Sequence, residues 1–204
     1  MAISEVVGSR GAALRRIVDS RGVPVVHRSS RELAAMAMVD DGSAVDADDE
    51  WLAVQRAIHA LLARERPAVL VPVSELSLGT PGFADRLDDL ADHHALRPAC
   101  IWVKATSSGA LLAAPETTEQ LARGHLVGVR LDVGHGFRDR ALLPDLAALG
   151  VSFAWIDPPD GHTVVDDLSG LIVGRSLVRR AQALGMAVIA PPELDGDMVP
   201  PTTQ

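Results

Sequence analysis

The chain has 204 residues, 48% of them apolar and 23% charged, and a formal net charge of -8. That mix builds a folded domain with a real core, and its acidic balance excludes non-specific DNA binding, which rests on Lys and Arg neutralising phosphates. One cysteine, Cys100, excludes an internal disulfide and any multi-cysteine metal site.

The N-terminal "MAISEVVGSRGAALRRIVD" lacks the apolar run of a signal peptide, and no stretch is long enough to span a bilayer, so the expectation is a cytoplasmic protein without membrane contact. "IVDSRGVPVVH" (17–27) reads as a small hairpin around Arg21-Gly22, and "VDDGSAVDADD" (39–49) as a loop. "DDEWLAVQRAIHALLARE" (48–65) is a helix, with Trp51, Val54, Ile58, Leu61 and Leu62 aligned behind an acidic first turn. From residue 68 a rhythm sets in. "AVLVPV", "ACIWVKA", "LVGVRLDV", "VSFAWID" and "MAVIA" are nearly continuous apolar runs, as expected of strands buried on both faces. Their starts at 68, 99, 126, 151 and 186 lie 31, 27, 25 and 35 residues apart, the spacing of successive βα units around a parallel sheet. The last two helices between them are marked by Leu142, Leu143, Leu146 and Leu149, and by Val173, Leu177, Ala181 and Leu184; Gly150 and Gly185 are their stops.

No GxGxxG or GxxxxGK[ST] is present, so a (β/α) barrel is favoured over a nucleotide-binding open sheet. A full barrel takes about 250 residues, which makes this one shortened or incomplete. The expected organisation is a single domain over residues 1–190 and a Pro-rich tail over 191–204 that adds no βα unit. A missing unit leaves a gap in the sheet, to be covered by the N-terminal segment, the tail or a second copy of the chain.

The order of several fragments resembles the EAL-domain family, barrel-like cyclic-di-GMP phosphodiesterases and their inactive relatives, from about Arg15 to Ala190. "RRIVDSRGVPVV" stands where the family has its QPI-V-D strand, and "LVPVSELSL" is similar to S-V-N-L-S. "RPACIWVKATSSGAL" is similar to the L-E-I-T-E-S strand, "VRLDVGHGF" to I-D-D-F-G-T-G-Y, "FAWIDPPD" to K-I-D and "AQALGMAVIAPPE" to A-x-x-L-G-x-x-V-I-A-E-G-V-E. In active members, the resemblance implies, carboxylates and an asparagine at the strand ends hold two divalent cations that activate a water, assisted by a lysine and a glutamate.

The matching positions are mostly not those residues. The signature Glu falls at His27, Arg28 or Ser29, the asparagine at Pro72, and the two Glu of E-I-T-E-S at Lys104 and Ser107. The first Asp of the aspartate loop becomes Leu131, while Asp132 matches the second and His135 replaces the threonine. Trp155 stands for the catalytic lysine, Asp157 is kept, and Pro191 replaces the last glutamate. A site that needs several hard oxygen ligands therefore keeps its glycines and loses most of its ligands. Asp132 and Asp157 read as structural carboxylates at strand ends, His135 as a turn residue, and Trp102 and Trp155 as core fillers.

No cofactor and no catalysis are expected. The reading is an inactive EAL-like regulatory module working through an unidentified protein partner, with homodimerisation expected and Gly134, His135, Gly136 and Phe137 as the interface loop that the resemblance implies. The alternative is a receptor that binds cyclic-di-GMP without cutting it, for which Arg28, Arg31, Lys104 and Arg130 are candidate contacts.

Overall fold

Eight strands close into one barrel. A computed structural model describes residues 23–27, 33–37, 46–63, 68–157 and 168–199. In chain order these form β1 (Val23–His27), β2 (Leu33–Ala37), α1 (Ala47–Ala63), β3 (Val69–Val73), α2 (Glu75–Leu78), α3 (Phe83–His93) and β4 (Ile101–Ala105). There follow α4 (Ser108–Ala113), α5 (Pro115–Gly124), β5 (Leu126–Asp132), α6 (Gly136–Ala148), β6 (Phe153–Asp157), α7 (Leu168–Ala183), β7 (Ala187–Ile189) and β8 (Met198–Val199). Strands β2 to β8 run parallel to their neighbours, and β1 is antiparallel to both β2 and β8.

All five strands expected from the apolar runs are present within one or two residues of their expected ends. Alternate residues of each serve two cores. Val69, Val71, Ile101, Val103, Val127, Val129, Ala154 and Ile156 pack outward under the helices, while Leu70, Trp102, Phe153, Trp155 and Ile189 fill the barrel interior. Part of the interior is aromatic: the rings of Trp102 and Phe153 lie 5.7 Å apart, centroid to centroid. Gly128 makes that possible, since a Cβ there would meet the Phe153 ring at 2.1 Å.

Two expectations need correction, and one strand was not announced by the sequence. The hairpin turn expected at Arg21-Gly22 lies outside the described residues; within them β1 pairs antiparallel with Leu33–Ala37, the unannounced strand. Glycine-rich "RLDVGHGFRD" is not a loop: β5 passes through one 3₁₀ turn, Val133–His135, directly into α6.

Finally, the described part of the expected tail, residues 191–199, belongs to the barrel. After a 3₁₀ turn at Pro192–Leu194, β8 pairs with β7 on one side and β1 on the other. Asp197 pins it, accepting from the backbone N–H of Val188 (2.8 Å) and from Gln182 Nε2 (3.1 Å). The barrel is shortened, because its last unit is reduced to a turn and a two-residue strand, yet it is closed. A second copy of the chain is thus not required to cover a gap, and the physical ground for expecting a homodimer falls away.

Candidate functional site

The strands end together at one rim, and Pro72, Lys104, Asp132, Trp155 and Asp157, five of the motif positions, lie there with Arg130. Pro72 on β3 lies opposite Lys104 on β4, Arg130 on β5 opposite Trp155 on β6, and Asp132 opposite Asp157. Arg130 had two possible directions by sequence; the alternation Val127, Val129, Leu131 on the outer face turns it inward. Leu131 is the correction on the other side. It is completely buried under the helices and has no place at the rim.

Four rim side chains form one linked group. Lys104 Nζ lies 4.5 Å from the centroid of the Trp155 ring, a cation–π contact. The indole N–H of Trp155 donates to Asp157 Oδ1 at 2.6 Å, and the Asp157 Oδ2 atom accepts from Arg130 Nε. Trp155 is only 9% exposed, so the indole plugs the space inside the rim. Both oxygens of Asp157 are occupied by donors belonging to the chain itself.

The other retained carboxylate is also engaged. Asp132 Oδ1 accepts the backbone N–H of Gly134 at 2.6 Å, the bond that sets the 3₁₀ turn. Behind it Asp139, on the first turn of α6, is buried and accepts from the Ser108 hydroxyl at 2.9 Å. Ser107 caps α4, its hydroxyl accepting from Ala110 N at 3.1 Å, and Pro191 is buried beyond the end of β7. Among the described residues no group of three or more His, Cys, Asp or Glu side chains is placed to hold a metal ion. Beside the plug opens a cleft of about 380 Å³, lined by Thr106, Ser107, Arg130, Asp132, Arg138 and Asp139 among others.

Of the remaining candidates, Arg28 and Arg31 lie outside the described residues. Gly134, His135, Gly136 and Phe137 form the 3₁₀ turn and the start of α6. Arg138 and Asp139 were not singled out by sequence; they follow the aspartate by six and seven residues, a spacing that returns them to the rim only because a single turn separates β5 from α6.

No family model and no curated protein matches the sequence. Solved structures do match. The EAL domain of Mycobacterium smegmatis DcpA superposes with a TM-score of 0.72 at 16% identity, over 88% of this chain and 88% of that one. The chain has the EAL-domain fold. The same fold aligns it with the PaMucR phosphodiesterase solved in complex with c-di-GMP, at TM-score 0.67 and 17% identity over 88% of this chain and 91% of that one. The EAL domain of Xanthomonas citri FimX, also solved with c-di-GMP, gives TM-score 0.68 and 16% identity over 98% and 93%. Among the described residues no helix of this EAL fold is long and apolar enough to cross a membrane.

Proposed function

We propose that this chain is a catalytically inactive EAL-like domain that works in the cytoplasm as a regulatory protein-contact module in bacterial signalling. The observation that carries the reading is the linked group Lys104–Trp155–Asp157–Arg130 inside the rim. Two-cation hydrolysis needs several free oxygen ligands around each ion. The donor set at this rim does not fit that need. Asp132 and Asp157 are each committed to donors of the chain, and an ammonium and a guanidinium stand beside them, where they repel a divalent cation. Such a scaffold keeps its surface when its chemistry is gone, and Gly134 to Phe137 with α6 is the segment assigned to partner contact.

Incubation of the chain with cyclic-di-GMP and Mg²⁺ or Mn²⁺, followed by chromatography for the linear dinucleotide, tests this directly. No product above the enzyme-free control is expected. Metal-dependent turnover that disappears in Asp132→Ala would overturn the reading.

One observation favours a second reading, a receptor that binds cyclic-di-GMP without cutting it. The cleft beside the plug presents Arg130 and Arg138 with the hydroxyls of Thr106 and Ser107, donors suited to a phosphate. Calorimetric titration with cyclic-di-GMP, with and without Mg²⁺, separates the two: metal-independent micromolar binding moves the assignment to the receptor, and no heat leaves the protein-contact module.

A further inference from the structure

A second cavity, apart from the rim cleft, is lined by a cluster of arginines on this otherwise acidic chain. Between α6 and α7 lies an open groove of about 580 Å³, lined by Arg140, Ile172, Arg175, Arg179, Arg180 and Ala183 among others. The lining of α7 is one helix face, recurring at three- and four-residue steps. Its opposite face carries Gly170, Gly174, Leu177, Val178 and Ala181 into the core. At the N-terminal end of the exposed face stand two large apolar side chains, Leu168 at 73% and Ile172 at 61% exposure.

This arrangement has a cost that the described residues do not offset in full. Arg175 and Arg179 are four residues apart on a helix, a like-charge spacing that is destabilising. Arg175 is partly satisfied, its guanidinium donating to the Glu193 carbonyl at 3.3 Å and lying 3.9 Å from an Asp195 oxygen. Among the described residues Arg140, Arg179 and Arg180 have no ion-pair partner. Three guanidinium groups without an ion-pair partner among the described residues, beside two exposed aliphatic side chains, are complementary to carboxylates next to an apolar anchor.

We infer that the groove between α6 and α7 docks a short acidic, amphipathic segment of a partner protein. The inference rests on the protein-contact reading above and gives that reading a second surface and a partner chemistry. Arginine suits the role because its planar fork pairs with a carboxylate through two parallel hydrogen bonds. The net charge of -8 decides the size of the partner. A Debye length of about 8 Å at physiological salt lets the local arginines govern a ligand confined to the groove. A nucleic acid or an anionic bilayer extends well beyond it and meets the acidic remainder of the surface.

The test is fluorescence anisotropy of the full chain with a fluorescein-labelled peptide of about four helical turns built from Glu and Leu. Micromolar binding that weakens with salt is expected. It should weaken at least about tenfold in the Arg179→Glu/Arg180→Glu double variant and in Arg140→Glu. Arg123→Glu, an exposed charge reversal on α5, should bind as the parent does. Because Arg140 is on a different helix from Arg179, the result does not depend on one variant's folding.

No anisotropy change at high micromolar protein, or equal binding by the groove variants and Arg123→Glu, overturns the inference. So does binding to phosphatidylglycerol vesicles without binding to the peptide, or self-association through this face without peptide binding. Cyclic-di-GMP hydrolysis is assayed on the same preparations. Hydrolysis together with groove-dependent peptide binding would overturn the inactive reading and keep the groove; neither activity would remove the groove alone.

Discussion

Asp157 accepts from two donors of unequal worth. Its partner Arg130 is 49% exposed in its side chain, so their ion pair is a solvated one and contributes about 0–1 kcal/mol. The indole N–H of Trp155 is buried, and leaving it without an acceptor costs about 1–3 kcal/mol. Asp157→Asn keeps an acceptor for the indole and is expected to lose less than about 1 kcal/mol by urea denaturation; Asp157→Ala is expected to lose clearly more. Equal losses would mean that the ion pair, not the indole bond, matters. Trp155→Ala, which empties the plug, is expected to cost about 3–5 kcal/mol. Trp155→Lys should lose stability without gaining phosphodiesterase activity, since a single restored lysine leaves Asp132 and Asp157 still engaged. At this scale the sequence was half legible. The substitutions at the rim could be listed by position, but the direction of Arg130 stayed open until the pairing of β5 placed Val127, Val129 and Leu131 on the outer face. That Lys104, Trp155, Asp157 and Arg130 link into one group could not be read, because it depends on rotamers across three strands.

Elements show a sharper division between what was legible and what was not. The five parallel strands announce themselves because a strand covered by helices on one face and filled on the other must be apolar almost throughout. β2, "LAAMA", does not, since Leu, Ala and Met are all strong helix formers and only its place between β1 and β3 makes it a strand. β8 is two residues long in a Pro-rich stretch and carries no periodicity at all. Its contribution is nevertheless physical. Met198 is 4% exposed, and Gly196 sits so close to Ala190 that a Cβ would meet the Ala190 Cβ at 2.8 Å. Truncation after Asp195 is expected to lower stability by at least about 2 kcal/mol, the burial of one methionine, and to leave β1 and β7 as open edges. Urea melts and light scattering at rising concentration check both; an unchanged midpoint would make the tail dispensable. Gly128 gives the complementary case inside the barrel. Gly128→Ala is expected to cost about 1–3 kcal/mol by overpacking against Phe153, and Phe153→Leu in the same chain should recover part of it. Additive losses in that pair would show that the contact is not what restricts position 128.

For the whole molecule, closure changes what acid should do. A closed sheet has no edge to expose, so loss of stability at low pH must come from groups whose proton affinity changes on folding rather than from strand pairing between copies. α1 and α3 bring such a group together: the His94 ring lies 5.0 Å from His59 and 4.9 Å from His93, edge to face in both cases. Desolvation first, then the charges of His59 and His93, hold His94 below its ordinary value of 6.5. The unfolded chain therefore takes up this proton first as pH falls. Stability from His94 is intact above 6.5 and declines as pH passes from there down through the lowered value. His94→Gln should remove that share, so the urea midpoint of the variant ought to change less between about pH 7.5 and pH 5 than the parent's does. Carboxylates titrating in the same range are common to both proteins and cancel in the comparison. A variant whose midpoint follows the parent's at every pH would assign the acid sensitivity to the other histidines and carboxylates, leaving the His59–His93–His94 cluster as packing alone.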